Sequence, residues 1–408
     1  MAEYTDREHF IPIRKSELID LLLDAKDFPA GQRESFRDFC RILSAVFHYE
    51  YLQRQEKLKD AYAPFDPDAD TKTIRPPSAE AKQRQLDDLF SQFIGLMERA
   101  NFQRLSQEDI QKAMDEGASD WGLNMDVDFN VFERLEMFAR GDVLSARSRR
   151  RMFNLWRLEE IKVPSYQRLV LIMKLKPHKR LGKNINTNAV FLKLFKDIPK
   201  LDIEMLLPGA RMQMPKLERG KLGASLLGTI GWIGYKIFLD LKVLLGALAS
   251  VNPLAFWGPL SLVAGYGYKQ YYSYQVTKQT YSFQLTQSLY YQNLDNNAGV
   301  ITRLLDAAEE QDAREAILAY HYLWRYAGDT GWRSTDLDDY IEMDIERLAN
   351  LKVDFEIGDA LEKLERLWLV EKVGDRHRAV PLDKALQQLD ALWDNYFQYH
   401  NGSAAVTT

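Results

Sequence analysis

Histidine, cysteine and carboxylate side chains are the groups of this chain that could bind a metal or transfer a proton. The histidines are scattered without the spacing of metal ligands: His9, His48, His178, His321, His377 and His400. Cys40 is the single cysteine, so an intramolecular disulfide and a cysteine-rich metal site are both excluded. Motifs for phosphate loops, dinucleotide folds, zinc proteases and nucleophile elbows are absent from the sequence. We therefore expect no metal and no cofactor, and we assign no catalytic residue.

An aspartate-rich segment resembles the beginning of a calcium-binding loop. Asp66, Asp68 and Asp70 alternate as calcium ligands do, but the sixth position is Thr71 instead of glycine. The twelfth position is Pro77 instead of glutamate. The pattern therefore predicts a solvated loop.

A polar run from 292 to 297, Gln-Asn-Leu-Asp-Asn-Asn, is the best place in the sequence for an active site. Asp295 would be the acid or base if the chain were an enzyme of uncharacterised type acting on a lipid or hydrophobic substrate. The alternative is that these residues cap a helix and make hydrogen bonds between domains.

Charge is strongly segregated along the chain. Residues 143–221 carry 19 Lys+Arg against 6 Asp+Glu, a net of +13, whereas residues 295–408 carry 12 against 23, a net of −11. Two clusters dominate the basic block: Arg147, Arg149, Arg150 and Arg151, then Lys174, Lys176, Lys179, Arg180 and Lys183. We predict that they contact membrane lipid headgroups, with solvated strand faces or nucleic acid as weaker alternatives.

Two uncharged apolar stretches, 222–235 and 243–268, suggest a transmembrane helical hairpin over 222–272. One reading places the turn at Asp240, Leu241 and Lys242; the other places it at Asn252-Pro253. Small residues would allow close packing of the two helices: Gly228, Gly246, Ser261 and Gly265. Because basic residues adjoin the first stretch, both flanking parts are predicted to be cytoplasmic.

The remaining sequence predicts an α+β fold class. Residues 1–221 are expected to form a soluble domain, helical over 1–120 and an antiparallel sheet over 121–219, with a turn at Arg140-Gly141-Asp142. A helical connector would cover 273–311. Three helices followed by two short strands predict a winged-helix-like acidic domain over 312–400, whose negative charge favours a protein partner over nucleic acid.

Several stretches resemble an uncharacterised family, a domain-of-unknown-function group that includes transmembrane-protein-143-like proteins of bacteria, plants and animal mitochondria. The similar stretches are EHFIPIRKSELIDLL, VFLKLFKDIPKLDIEMLLPG, FLDLKVLL, SLYYQNLDNNAGVITRLLDAAEEQDAREAILAYHYL and KVDFEIGDALEKLERLWLV. The resemblance implies a two-span membrane protein with soluble domains on either side of the spans in sequence. It carries no catalytic residues.

The sequence thus predicts a membrane-anchored, non-enzymatic protein that binds an unknown protein partner or organises the membrane surface. A two-pass location in a bacterial plasma (inner) membrane is expected because the N-terminus lacks a transit peptide. A homo-oligomer is compatible with this reading.

Overall fold

The structure is a computed structural model, and it describes most of the chain outside the region between 214 and 289. The described residues are 3–4, 8–26, 28–71, 74, 77–106, 108, 110, 124–150, 158–182, 185–213, 265, 268, 269, 272, 275, 276, 279 and 290–396. Within them lie an antiparallel sheet and a set of helices, so the described part is a mixed α/β fold.

The elements follow one another in this order. The helices are α1 Lys15–Leu23, α2 Arg33–Tyr62, α3 Ala79–Arg99, α4 Ile203–Leu206, α5 Ala298–Tyr326, α6 Ser334–Ala349, α7 Ile357–Arg366 and α8 Leu382–Asn395. The strands are β1 Glu3–Tyr4, β2 Gln103–Arg104, β3 Asn124–Asp126, β4 Phe132–Arg150, β5 Leu158–Leu175, β6 Val190–Pro199, β7 Arg211–Gln213, β8 Asn293–Asn296, β9 Trp332–Arg333, β10 Val370–Val373 and β11 Arg376–Ala379.

Helices α2 and α5 are the longest described helices, and they pack antiparallel. The first half of α2, from Phe36 to Phe47, shares a buried apolar core with the second half of α5 and with the C-terminal helices. The second half of α2, from Tyr51 to Tyr62, shares another core with the beginning of α5, with α3 and with the sheet. Apolar side chains three or four residues apart form the buried face of α2. The two helices therefore connect both cores.

The large sheet has the strand order β1-β4-β5-β6-β8, and β2 also pairs with β4. Consecutive β5 residues from Leu169 to Ile172 are fully buried because the sheet is covered on both faces. Helices α2, α3 and α5 cover one face, while Ile110, Val131 and Ile203 pack on the other.

The turn predicted at Arg140-Gly141-Asp142 is wrong. Strand β4 runs through these residues and pairs with β5 from Phe132↔Leu175 to Arg150↔Leu158. Gly141 has a φ of +73°, which a glycine adopts without strain inside a strand. The glycine therefore marks a local distortion of a long strand instead of its end.

Residues 312–396 form what we call the C-terminal unit. Strand β11 pairs with β10 on one side and with β9 on the other, which makes a small antiparallel sheet beside helices α6, α7 and α8. Its core contains Leu337, Ile341, Leu364 and Leu389 and continues into α1 and α2. The N-terminal helices and the C-terminal unit are therefore packed around one core.

The fold class predicted from the sequence requires a correction, because it contained a transmembrane hairpin. In the part of the chain that the structure describes, no helix is both long enough and apolar enough to cross a membrane. The longest helices there, α2 and α5, are amphipathic and carry many charged residues, which suits packing against protein. The predictions of a transmembrane hairpin, of an integral membrane protein and of a two-pass plasma membrane location are therefore wrong.

Candidate functional site

A buried charge cluster lies where helices α2, α5 and α7 meet. The Lys363 ammonium donates to Asp312 Oδ1 at 2.8 Å and to Glu315 Oε2 at 3.3 Å. All three side chains are less than a tenth exposed. Because ions lose their hydration on burial, such groups persist only when they are paired and hydrogen-bonded.

Neutral side chains complete the hydrogen bonding of the two carboxylates. Tyr51 donates its hydroxyl proton to Asp312 Oδ2 at 2.8 Å. Gln311 Nε2 and Asn101 Nδ2 donate to Glu315 Oε1 at 2.7 Å and 3.1 Å. The cluster thereby joins α2, α5, α7 and the end of α3 at the level where the two apolar cores meet.

The same helix turn of α5 holds the N-terminal segment before α1. The Ile11 amide donates to Gln311 Oε1 at 3.3 Å, and Arg314 Nη1 donates to the carbonyl oxygens of Ile11 and Ile13, both at 2.8 Å. Asn101 Nδ2 also donates to the His9 carbonyl at 2.6 Å. These contacts fix an extended segment whose backbone polar groups would otherwise be buried without partners.

Burial raises the pKa of Glu315 to about 7, although Lys363 lowers it. Burial also disfavours the charged form of Lys363, but Glu315 and Asp312 outweigh this and raise the pKa of the lysine. Lys363 is therefore a held cation and a poor proton donor. The cluster positions the surrounding helices, and its groups are too deeply buried to meet a substrate.

The raised pKa of Glu315 predicts a pH-dependent stability. The folded protein binds a proton at Glu315 more tightly than the unfolded chain does, so stability falls as the pH rises from about 4.5 through about 7. For a buried group with this shift the loss approaches about 3 kcal/mol. Chemical denaturation between pH 5 and 8 should show a steeper loss for the wild type than for Glu315→Gln. Equal slopes would exclude Glu315 as the titrating group.

Arg140 of strand β4 is a second cation that points inward, and it is half-buried. Its guanidinium lies between the rings of Phe10 and Phe102, 4.0 Å and 4.6 Å from their centroids, and Nη1 donates to the Ala100 carbonyl at 3.0 Å. Burial lowers the pKa of Arg140 to about 9, and burial raises the pKa of the nearby Glu8 to about 7.

The polar run from 292 to 297 is largely occupied by structural contacts. Gln292 Nε2 donates to the Asp197 carbonyl at 2.8 Å, and Asn296 Oδ1 accepts from Lys193 Nζ at 2.7 Å. Asn297, with a φ of +49°, exchanges hydrogen bonds with the Leu192 backbone at 2.9 Å and 3.2 Å. These bonds attach β8 to β6. Asn297 is the N-cap residue of α5, but its side chain makes no capping hydrogen bond, so the predicted helix capping is not present.

Asp295 of this run lies against the first turn of α5. Its Oδ1 accepts from the Asn296 amide at 3.1 Å, and Arg303 Nη1 lies 3.9 Å from Oδ2. A carboxylate at a helix N-terminus is stabilised by the helix dipole. Asp295 therefore lies where its charge interacts favourably with the N-terminus of α5.

The aspartate-rich loop folds locally and packs on the same corner. The Asp68 amide donates to Asp66 Oδ1 at 3.0 Å, which is an Asx turn. Asp68 Oδ2 accepts from Asn297 Nδ2. Throughout the described ranges, no three His, Cys, Asp or Glu side chains are grouped as a metal site requires.

The predicted membrane-surface residues have different surroundings. Lys174 forms an ion pair with Glu133 at 2.8 Å, and Arg180 lies 2.9 Å from Asp126 Oδ2 and 3.4 Å from Asp128 Oδ2. Lys176 and Lys179 are exposed. The backbone of Arg147, Arg149 and Arg150 belongs to β4, whereas Arg151 and Lys183 lie outside the described residues. Among the predicted headgroup contacts whose side chains the structure describes, Lys174 and Arg180 are thus ion-paired within the protein.

Most residues of the predicted hairpin lie outside the described part of the chain. These are Asp240, Leu241 and Lys242 of the first turn, Asn252-Pro253 of the alternative turn, and Gly228, Gly246 and Ser261. Gly265 is described as helical and exposed, and a Cβ built on it would meet no described atom within 4 Å.

Trp368 is the most unusual surface residue of the C-terminal unit. It follows α7 with a φ of +60°, and it forms a Schellman motif in which its amide donates to Glu365 O at 3.0 Å and the Leu369 amide donates to Leu364 O at 2.9 Å. Glycine usually occupies this position because a side chain is strained there. The indole is nevertheless 76% exposed, so the strained conformation displays a large apolar ring to solvent.

Comparison with known proteins assigns part of the chain. Residues 155–299 match a family described as a protein of unknown function (DUF3754). The matched residues include β5, β6 and β8, and the match ends at Gly299. No solved structure matches the chain.

Sequence reasoning missed both the charge cluster and Trp368. The cluster joins residues as far apart as Tyr51 and Asp312, so no local spacing marks it. A usable signal for Trp368 was available, because a tryptophan directly after an amphipathic helix occupies the place where a glycine usually ends it.

Proposed function

We propose that this chain is a non-catalytic binding protein whose C-terminal unit docks a protein partner, with Trp368 as the anchoring side chain. The single observation that carries the proposal is the exposed indole at a position with positive φ. Both the backbone strain and the exposure of the ring cost free energy. Tryptophan is also enriched among the residues that dominate interface energies.

The partner we propose has a positively charged surface around an apolar pocket. Residues 295–408 carry a net charge of −11, which would attract a basic surface and repel nucleic acid. Further large apolar side chains of the unit are partly or largely exposed: Met343, Leu348, Val373 and Trp393. An exposed apolar side chain in a unit rich in charged residues matches the usual anatomy of a protein interface, an apolar centre with a polar rim.

Trp368→Gly tests the proposal through opposite effects on binding and stability. Because glycine adopts the positive φ without strain, the free energy of unfolding should stay unchanged or rise by up to about 1 kcal/mol. Affinity capture from the source cells by the full chain should lose a specific protein in this variant. That protein should also be released from the wild type by high salt, since the attraction is partly between charges.

Leu52→Ala is the matched control, because Leu52 is a 45% exposed apolar residue on α2. It should retain the captured protein. An identical capture profile for the wild type and Trp368→Gly would refute the anchor. Sedimentation velocity on the same variants tests whether the partner is a second copy of the chain. A dimer that forms with Trp368 and is lost in Trp368→Gly would refute a different protein as the partner.

We also infer that the likeness to transmembrane-protein-143-like proteins reflects relatedness beyond the matched domain. The similar stretches near the N-terminus and in the C-terminal unit support this, since both lie outside residues 155–299. The family name brings no membrane assignment to this chain.

A further inference from the structure

An aromatic cleft opens between the end of α1, the end of α5 and the end of α6. Its cavity measures about 470 Å³, within the range of small-molecule sites. One wall is formed by His321, Tyr322 and Tyr326 of α5. Leu22 and Leu348 contribute apolar surface, and Asp24 and Lys26 contribute one charge of each sign. Tyr322 and Tyr326 stack with ring centroids 5.8 Å apart. The cleft is separate from the buried charge cluster, and it is lined entirely by described residues.

The Asp344 carboxylate lies at this aromatic wall and has two hydrogen-bond partners, a buried tyrosine and an exposed arginine. It is only 6% exposed. The Tyr322 hydroxyl donates to its Oδ2 at 2.7 Å, and Arg347 Nη2 donates to its Oδ1. Burial, together with the Asp344 carboxylate, raises the pKa of Tyr322, so the hydroxyl keeps its proton and acts as a donor. The carboxylate is therefore buried while its cationic partner is 70% exposed in its side chain.

Arg347 reaches Asp344 from one turn further along the same helix. An ion pair of this kind contributes little, because the exposed arginine loses side-chain entropy and is screened by solvent. A guanidinium that entered the cleft from outside could bind the same carboxylate and also lie against the tyrosine rings, where a cation is attracted by the ring faces. Arg347 thus shows that the Asp344 carboxylate binds a guanidinium group, and it leaves the cavity open.

We propose that this cleft binds a guanidinium group of an external ligand, which displaces Arg347 from Asp344. Asp344 would hold the charge, Tyr322 would orient the carboxylate, and Tyr326 would pack against the planar cation. The group could belong to a small alkylguanidine or to an arginine side chain of a protein. The site does not depend on Trp368 and goes beyond the proposed function.

Calorimetric titration of the full chain with butylguanidinium tests this proposal, with the neutral analogue butylurea as the matched probe. Arg347→Ala removes the internal competitor and should bind butylguanidinium about two- to fivefold more tightly than the wild type, as expected for the loss of an exposed ion pair. Arg333→Ala is the control, because Arg333 precedes the same helix and pairs with Asp375 at 2.7 Å. It should bind as the wild type does. Asp344→Asn should lose binding.

Arg347 is largely exposed, so its replacement tests the cleft even if Asp344→Asn fails to fold. No tighter binding by Arg347→Ala, or equal binding of butylurea, would overturn the proposal. An arginine peptide, acetyl-Gly-Arg-Gly-amide, and its citrulline counterpart separate the two ligand sources. Binding of the arginine peptide as tight as that of butylguanidinium supports a protein side chain, whereas binding of butylguanidinium alone supports a small ligand.

Discussion

Lys363→Met is expected to lower the free energy of unfolding by about 3–5 kcal/mol, the usual cost of leaving a buried charge without its partner. The substitution keeps the length of the side chain but leaves Asp312 and Glu315 buried together without a cation. Their mutual repulsion and their lost hydrogen bonds both act against the folded state. Urea unfolding followed by intrinsic fluorescence at pH 7.5 measures the effect.

The control for this prediction is Lys372→Met, because Lys372 is an exposed lysine on β10 of the same unit. Its replacement should change stability by no more than about 0.5 kcal/mol. The triple variant Lys363→Met, Asp312→Asn, Glu315→Gln should recover much of the loss, since it keeps the shapes and removes the charges. If the single and triple variants lose equally, packing and not charge explains the effect.

The charge cluster should also affect partner binding, because it holds the helix that precedes Trp368. Lys363 belongs to α7, the helix whose end places Trp368 at the surface, and its two carboxylate partners belong to α5. A loss of the cluster would loosen α7 against α5 and thereby the orientation of the indole. Capture experiments on Lys363→Met should therefore show weaker binding even at temperatures where the variant remains folded.

The sequence was most informative where structure is set by nearby residues. Phe36, Phe39 and Leu43 predict α2, and the helix is present from Arg33 to Tyr62. The strand-like runs around Leu169 and Leu192 are present as β5 and β6. In each case the spacing of the apolar residues fits only one type of secondary structure, so the local sequence is enough to predict it.

The sequence was least informative where distant residues decide the outcome. Gly141 was expected to turn the chain, but pairing with β5 across residues 132–150 keeps it within a strand. The apolar residues 222–268 predicted membrane spans from composition alone; all of them but 265 and 268 lie outside the described residues, and no described helix could cross a membrane. Asp312 and Lys363 each resemble solvated helix residues, and only the folding of α7 onto α5 buries them together.

Gly299→Ala is expected to destabilise the protein by about 1–3 kcal/mol, although alanine normally favours a helix over glycine. Gly299 lies in the first turn of α5, and a Cβ there would meet Asp295 Cγ at 2.8 Å and its Oδ1 closer still. The carboxylate would have to leave the helix N-terminus, where it accepts from the Asn296 amide. The thermal unfolding midpoint of the variant should therefore fall.

Gly358→Ala provides a matched control, because Gly358 occupies the same second position of α7 and a Cβ added there would meet no described atom within 4 Å. It should stabilise the protein by about 0.5–1 kcal/mol through helix propensity. If stability falls for Gly299→Ala but rises for Gly358→Ala, the loss comes from the overlap with Asp295 and not from a general effect of alanine at this helix position. The double variant Asp295→Ala, Gly299→Ala should then regain part of the loss, because removal of the carboxylate frees the space that the new methyl group needs.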